Sequence, residues 1–256
     1  MPVTPAHAAA AWPLHKWLPR LPLSALVIGA MSPDYEYFLQ LAPITRVAHT
    51  ASGLLFFCVP ISLIVWFVFR RVVRPALVQL LPPGLARALG SAAASWPLAL
   101  VAVALGAVSH VAWDGFTHQS DWAVRAWPVL RTSPWPALLP LPWFKLLQYS
   151  SSIFGMLALA IWIGAWVRSQ PAAVREWAPG QRARAIRVIA IVLVVSAICG
   201  VGDSLMTPRH AWPADLGRGL VGAMVGCTIA VLTFALTRAR STRGSRSAPT
   251  GGGVSL

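Results

Sequence analysis

Five apolar runs, at about 53 to 69, 96 to 114, 146 to 167, 186 to 203 and 217 to 236, most restrict what this chain can fold into. A helix rises about 1.5 Å per residue and the hydrocarbon of a bilayer is roughly 30 Å thick, so runs of about 20 apolar residues have the length of a spanning helix. With 57% of its 256 residues hydrophobic and only 11% charged, the chain is too apolar and too long for one small soluble domain. The expected class is all-α, a polytopic membrane helical bundle with five or six transmembrane helices.

The sixth span rests on residues 22 to 41, PLSALVIGAMSPDYEYFLQL, whose second half contains Pro33, Asp34 and Glu36. A full crossing there would put the N-terminus in the cytoplasm and leave His7 on the opposite side from His110. A re-entrant or interfacial path lets His7 share the outer side, and this second path is the one favoured. Arg70, Arg71, Arg74 and Arg87, then Arg168, Arg175, Arg182, Arg184 and Arg187, and four arginines in the tail all flank apolar runs. Positively charged loops stay inside, so these three segments are expected in the cytoplasm with the C-terminus. Segments 42 to 52, 115 to 145 and 204 to 216 then face the periplasmic or extracellular side.

The formal charge of +14 follows from 21 Lys and Arg against 7 Asp and Glu. No nucleic-acid-binding motif accompanies it, and the positive-inside bias accounts for it, so no nucleic acid is expected as a partner. Cys58, Cys199 and Cys227 lie inside apolar runs without CxxC spacing and read as buried apolar side chains. The N-terminus lacks a basic stretch ahead of an apolar core and does not read as a cleaved signal peptide. Residues 1 to 237 form the expected membrane domain, and the basic, Gly/Ser-rich stretch 238 to 256 reads as a disordered tail. Trp113, Trp122, Trp127, Trp135 and Trp143 read as an interfacial belt that contacts lipid headgroups.

Chemistry is suggested by SHVAWDGFTH, Ser109 to His118, at the end of an apolar run. On a helix His110, Asp114 and His118 follow one another at about 40°, so they share one face, although Gly115 is expected to end regular helix early. An ionisable residue within a membrane helix costs roughly 2.5 to 3.5 kcal/mol at its centre on insertion scales, and within the helix or at its end it turns toward a partner or a wet cavity. Two partners answer that need: a divalent cation held by imidazole and carboxylate, or a structural His–Asp hydrogen bond. The remaining acids and histidines add weight to the first. Asp34 and Glu36 sit in SPDYEY, His49 in VAHTASG and His7 in TPAHAA, so three of the seven acids and four of the six histidines fall in or beside apolar segments. Glu36 lies two residues from Asp34 and joins it only if Pro33 breaks the helix. Asp34 is therefore the expected ligand, and Glu36 a candidate general base or supporting carboxylate. Asp203 and His210 form a weaker pair, separated by Pro208 and read as structural, and His15 reads as interfacial. Gly-rich phosphate loops, GxSxG elbows and Ser-His-Asp ordering are lacking, which disfavours covalent catalysis.

The segments TPAHAA, LPLSALVIGAMSPDYEYF, His49 with Thr50, and SHVAWDGFTH resemble a bacterial family of multi-pass membrane proteins, domain-of-unknown-function family 4184, over about residues 1 to 167. That family is similar to the inner-membrane metal-dependent hydrolases and, more distantly, to the zinc-dependent phospholipase C and P1-type nuclease fold. The distant resemblance implies one metal among Asp34, His49, His110 and Asp114, and a second reached by Asp114 with His7. Only His118 is left to supply the further ligands of that fold, and no His-x3-Glu pair follows, so a third metal is not implied. The activity implied is zinc-dependent hydrolysis of a phosphoester in the bacterial inner membrane, with one or two zinc ions activating a water. In that reading the metal ligands are His7, Asp34, His49, His110, Asp114 and His118. Asp114 orients, His118 or Glu36 handles protons, and Arg125 and Arg131 hold an anionic, lipid-like substrate at the outer membrane face. A transport protein, or a structural protein with a His/Asp polar cluster, is the alternative.

Overall fold

The computed structural model describes residues 4–40, 47–88, 95–206, 223 and 225–235. The described residues are helical apart from turns and an isolated bridge between Trp135 and Leu139. Four helices are long and apolar enough to cross a membrane: Ala51–Val78, Trp96–Ala126, Trp143–Ser169 and Gln181–Val201. They correspond to the first four apolar runs. Of the fifth, residue 223 and Val225–Ala235 are described and helical; the rest of that run lies outside the described residues, as do the predicted tail and His210.

In chain order the helices are α1 (Thr4–His7), α2 (Ala11–Trp17), α3 (Leu23–Met31), α4 (Tyr35–Gln40) and α5 (Ala51–Val78). They continue with α6 (Pro83–Ala88), α7 (Trp96–Thr117), α8 (Trp122–Ala126), α9 (Trp143–Ser169), α10 (Gln181–Met206) and α11 (Val225–Ala235). The chain falls into two compact units, residues 1–67 with 90–171, and residues 68–89 with 172–256. In the second unit the Gln181 amide donates to the carbonyls of Gln79 and Leu81, which ties the start of α10 to the turn before α6.

Local sequence explains the irregularities. Proline lacks the N–H that closes a helical turn, and its ring crowds the carbonyl four residues back. Accordingly α5 relaxes into wider π turns at Leu54–Cys58 and Phe69–Val73, just ahead of Pro60 and Pro75. The doubtful run at 22 to 41 is not one of the four membrane-length helices. It is α3, a 3-10 turn over Ser32–Asp34 with Pro33 in its first positions, and α4. There the Ser32 hydroxyl donates to Gly29 O, which also accepts the Ser32 backbone N–H, and the Tyr35 hydroxyl donates to Ile28 O.

The core of the first unit is the pairing of α3 with α7. Both run in the same direction, with Leu21 near Val101 at one end and Asp34 near His110 at the other. Glycine makes their contact close: a methyl at Gly29 would lie 2.7 Å from Val103 Cα, and one at Gly106 would lie 2.6 Å from Ala30 N. Ala25, Leu26, Ala30, Ala99, Ala102, Val103 and Ala107 fill the seam and are fully or almost fully buried. Backbone approach of this kind is how membrane helices gain packing where lipid competes for apolar contact. Helix α7 runs unbroken to Thr117, through the Gly115 at which an early end was expected. Gly115 instead makes room for Trp122, whose indole Cε2 would stand 2.6 Å from an added methyl.

Candidate metal centre

Each polar residue of the centre is delivered by a different local device. The 3-10 turn at Pro33 swings Asp34 inward beside α7, where it is 1% exposed. Helix periodicity puts His110 and Asp114 on the face of α7 that meets α3. His49 precedes α5, whose first turn is capped by Thr50: its Oγ1 accepts from Gly53 N at 3.0 Å. His7 ends α1 and stacks on His110, with ring centroids 3.6 Å apart.

Asp114 is the hub. Its Oδ2 lies 3.2 Å from His49 Nε2 and 3.2 Å from His110 Nε2, and its Oδ1 lies 3.4 Å from His7 Nε2. Asp34 Oδ1 stands 3.5 Å from His110 Nε2. Ligand atoms of Asp34, His49, His110 and Asp114 all fall within 4.8 Å of one another. A tetrahedron with arms of about 2.1 Å, the usual zinc–nitrogen and zinc–oxygen length, has edges of about 3.4 Å. The three closest ligand pairs of the group match that edge.

Hydrogen bonding narrows the cluster to two states, a bound cation or a doubly protonated His110 paired with the carboxylates. His110 Nδ1–H donates to the Ala30 carbonyl at 2.7 Å, so the Nε2 of a neutral ring carries a lone pair. That lone pair faces two carboxylates, acceptor against acceptor. Only a second proton on the ring or a cation between the groups relieves the clash. Both Asp34 oxygens, His7 Nε2, His49 Nδ1 and His110 Nε2 are buried without a hydrogen-bond partner. Orphaned polar atoms are costly in a buried setting, and here most of them converge on one point. Burial of its ring first, and the positive charge of a protonated His110 second, hold the His7 imidazole down at about 4. The donor set, imidazole and carboxylate, suits zinc or a related divalent ion.

Two expected members stand apart. His118 caps the end of α7, with its N–H on Asp114 O and its Nδ1 3.2 Å from Thr117 Oγ1 and 3.2 Å from Asp114 O. It is 3.7 Å from Asp114 Oδ2 and 3.8 Å from Asp121 Oδ2, and at 26% side-chain exposure it is the most open of the histidines around Asp114. Glu36, considered as a proton-handling base, is engaged elsewhere. Its carboxylate accepts from Val47 N at 3.2 Å and from Ala48 N at 2.9 Å. It therefore positions the turn that carries His49, and Cys58 holds the same turn from the other side by donating its thiol to Ala48 O. Cys58 is buried, as its apolar surroundings predict. His15 Nδ1–H donates to Leu21 O and closes the turn between α2 and α3, away from the centre. No described side chain exists for Asp203.

Sequence reasoning did not find the supporting residues Ala30, Thr50 and Thr117. A backbone carbonyl leaves no mark in a sequence, whereas Thr50 ahead of ASG is a readable helix cap. The family model described as Domain of unknown function (DUF4184) matches residues 1–236. No curated protein and no solved structure matches the chain.

Proposed function

The chain belongs to the family described as Domain of unknown function (DUF4184), and from its buried His/Asp centre we propose that it is a membrane-embedded, metal-dependent hydrolase of the phosphoester class. The observation that carries this reading is the convergence of Asp34, His49, His110 and Asp114, with both Asp34 oxygens and His110 Nε2 left without a hydrogen-bond partner there. A divalent cation such as zinc would supply Lewis acidity and an activated water near neutral pH. Asp34, His49, His110 and Asp114 would hold one ion, and His7 with Asp114 Oδ1 stands ready for a second.

The protein's own part is orientation and proton handling. Ala30 O fixes His110, the Thr50 cap and Glu36 fix His49, and Thr117 Oγ1, 3.4 Å from Asp114 Oδ1, steadies the hub. His118, partly exposed and beside Asp121, is the group placed to handle a proton. Arg125 and Arg131 brace the following turn through the carbonyls of Ser120 and Gln119, and their charge favours an anionic, lipid-like substrate. The positive-inside bias of the arginine-rich segments supports a cytoplasmic C-terminus and a centre at the periplasmic face of a bacterial inner membrane.

Elemental analysis of detergent-purified protein tests this directly. Wild type is expected to carry stoichiometric divalent metal, and His110→Ala only a trace. Metal-free wild-type protein, with His110→Ala merely less stable, would convert the cluster into a structural His–Asp network and end the hydrolase reading.

A further inference from the structure

Beside the centre, a cleft of about 310 Å³ opens between α1, the 3-10 turn that follows it, α7 and α9. His7 contributes to its wall, along with Ala9, Ser109, Trp113, Ser151 and Phe154. The same His7 offers its unpartnered Nε2 to Asp114, so one imidazole separates the cleft from the candidate ligands. We propose that this cleft binds one acyl chain of a membrane lipid, admitted sideways from the bilayer, and that it thereby presents the ester next to that lipid's headgroup to the centre. This rests on the hydrolase reading for the chemistry, but the chain site stands on separate observations.

The first is depth. From Trp96, the start of α7, Ser109 lies about 20 Å along the axis and Asp114 about 27 Å. Against a hydrocarbon layer of roughly 30 Å, the centre lies at the edge of the apolar layer and the cleft extends about a turn and a half deeper. A glycerolipid has the same order, with its phosphoester at the edge and its chain descending from it. The second is what the cleft faces. Phe154 is 68% exposed, and its neighbours Ile153 and Leu157 are 61% and 51% exposed, on a helix of membrane-spanning length and composition. Exposure there is exposure to lipid, and an opening among such residues admits hydrocarbon more readily than a polar solute. The third is shape. Ala6 and Gly155 close one end by backbone contact, where a methyl at Gly155 would lie 2.9 Å from Ala6 O. The space left suits a single chain.

The test reconstitutes the full chain with zinc into phosphatidylcholine vesicles doped with a phosphatidylglycerol that carries a diazirine in one acyl chain. After irradiation, the adducts are mapped by peptide mass spectrometry. Labelling of Trp113, Ser151 and Phe154 is expected to exceed that of Ile161 and Ile163 several-fold, although the two isoleucines are 61% and 63% exposed on the same helix as Phe154. Ser151→Leu and Ala9→Leu, each of which fills the cleft from a different wall, are expected to abolish the excess and leave the zinc content unchanged. Uniform labelling along α9, or an excess that survives both fillings, would overturn the chain site. If the excess is present and the wild type binds no zinc, the chain site holds and the hydrolase reading fails.

Discussion

Gly106→Ala probes the seam on which the centre depends. The added methyl would stand 2.6 Å from Ala30 N and closer still to Leu26 O, where an ordinary contact begins at 3.4 Å. Backbone cannot step aside as a flexible side chain does, so α3 and α7 must part by about 1 Å. Overpacking of this kind costs about 1–3 kcal/mol in stability. The more telling loss is at the ligands. Asp34 and Ala30 travel with α3 while His110 and Asp114 travel with α7, and a metal site tolerates only about 0.2 Å in its bond lengths. Zinc affinity is therefore expected to fall by about 10- to 100-fold, the range for disturbed outer contacts, with every ligand still present. The assay is zinc competition against a fluorescent chelator together with a thermal melt, with Gly164→Ala as the control. A methyl at Gly164 meets only the end of the Arg168 side chain, at 3.3 Å, and should leave both readings unchanged. If Gly106→Ala binds zinc as tightly as wild type, the ligands do not depend on the packed seam and the argument is wrong.

Glu36→Ala strands the buried N–H of Ala48, at about 1–3 kcal/mol, and loosens that of the exposed Val47, and is expected to weaken zinc binding through His49, while Glu36→Gln, which keeps one acceptor oxygen, restores part of it; equal zinc affinity in both variants would remove the positioning role. Chelation should lower the melting temperature and added zinc should return it, because a ligand of the folded state alone stabilises by mass action; a melt indifferent to both would mean that no ion is part of the fold. His118→Ala is expected to keep its zinc, since His118 lies outside the four-residue group, and to lose hydrolysis of a phosphodiester substrate by about 100-fold or more, the usual reach of a general acid. Loss of zinc in that variant would make His118 a ligand instead.

The helices were legible because membrane length is a local property: a run such as WPLALVAVALGAV announces itself without knowledge of any partner. The one-face placement of His110 and Asp114 was legible for the same reason, since periodicity alone fixes it. Pro33 marked a break that would let Glu36 join Asp34, but not where either would go, because the partners of Glu36 lie eleven and twelve residues away in an irregular turn. The extent of α7 was misjudged at Gly115, where local propensity gave way to tertiary packing with Trp122. Gly29 and Gly106 each looked like ordinary small residues in an apolar run. Their meaning is mutual, and a single chain read from end to end does not show which two residues face each other.

The tie between His110 and Ala30 uses a main-chain carbonyl as its acceptor. Replacing the residue at position 30 therefore cannot delete that acceptor; only a shift of one helix against the other can withdraw it. Control over which ring nitrogen is free thus resides in helix spacing and not in any single side chain's chemistry. A force that slid the two helices apart, such as a change in bilayer thickness, would release the imidazole to rotate and switch its tautomer while every ligand stayed in place.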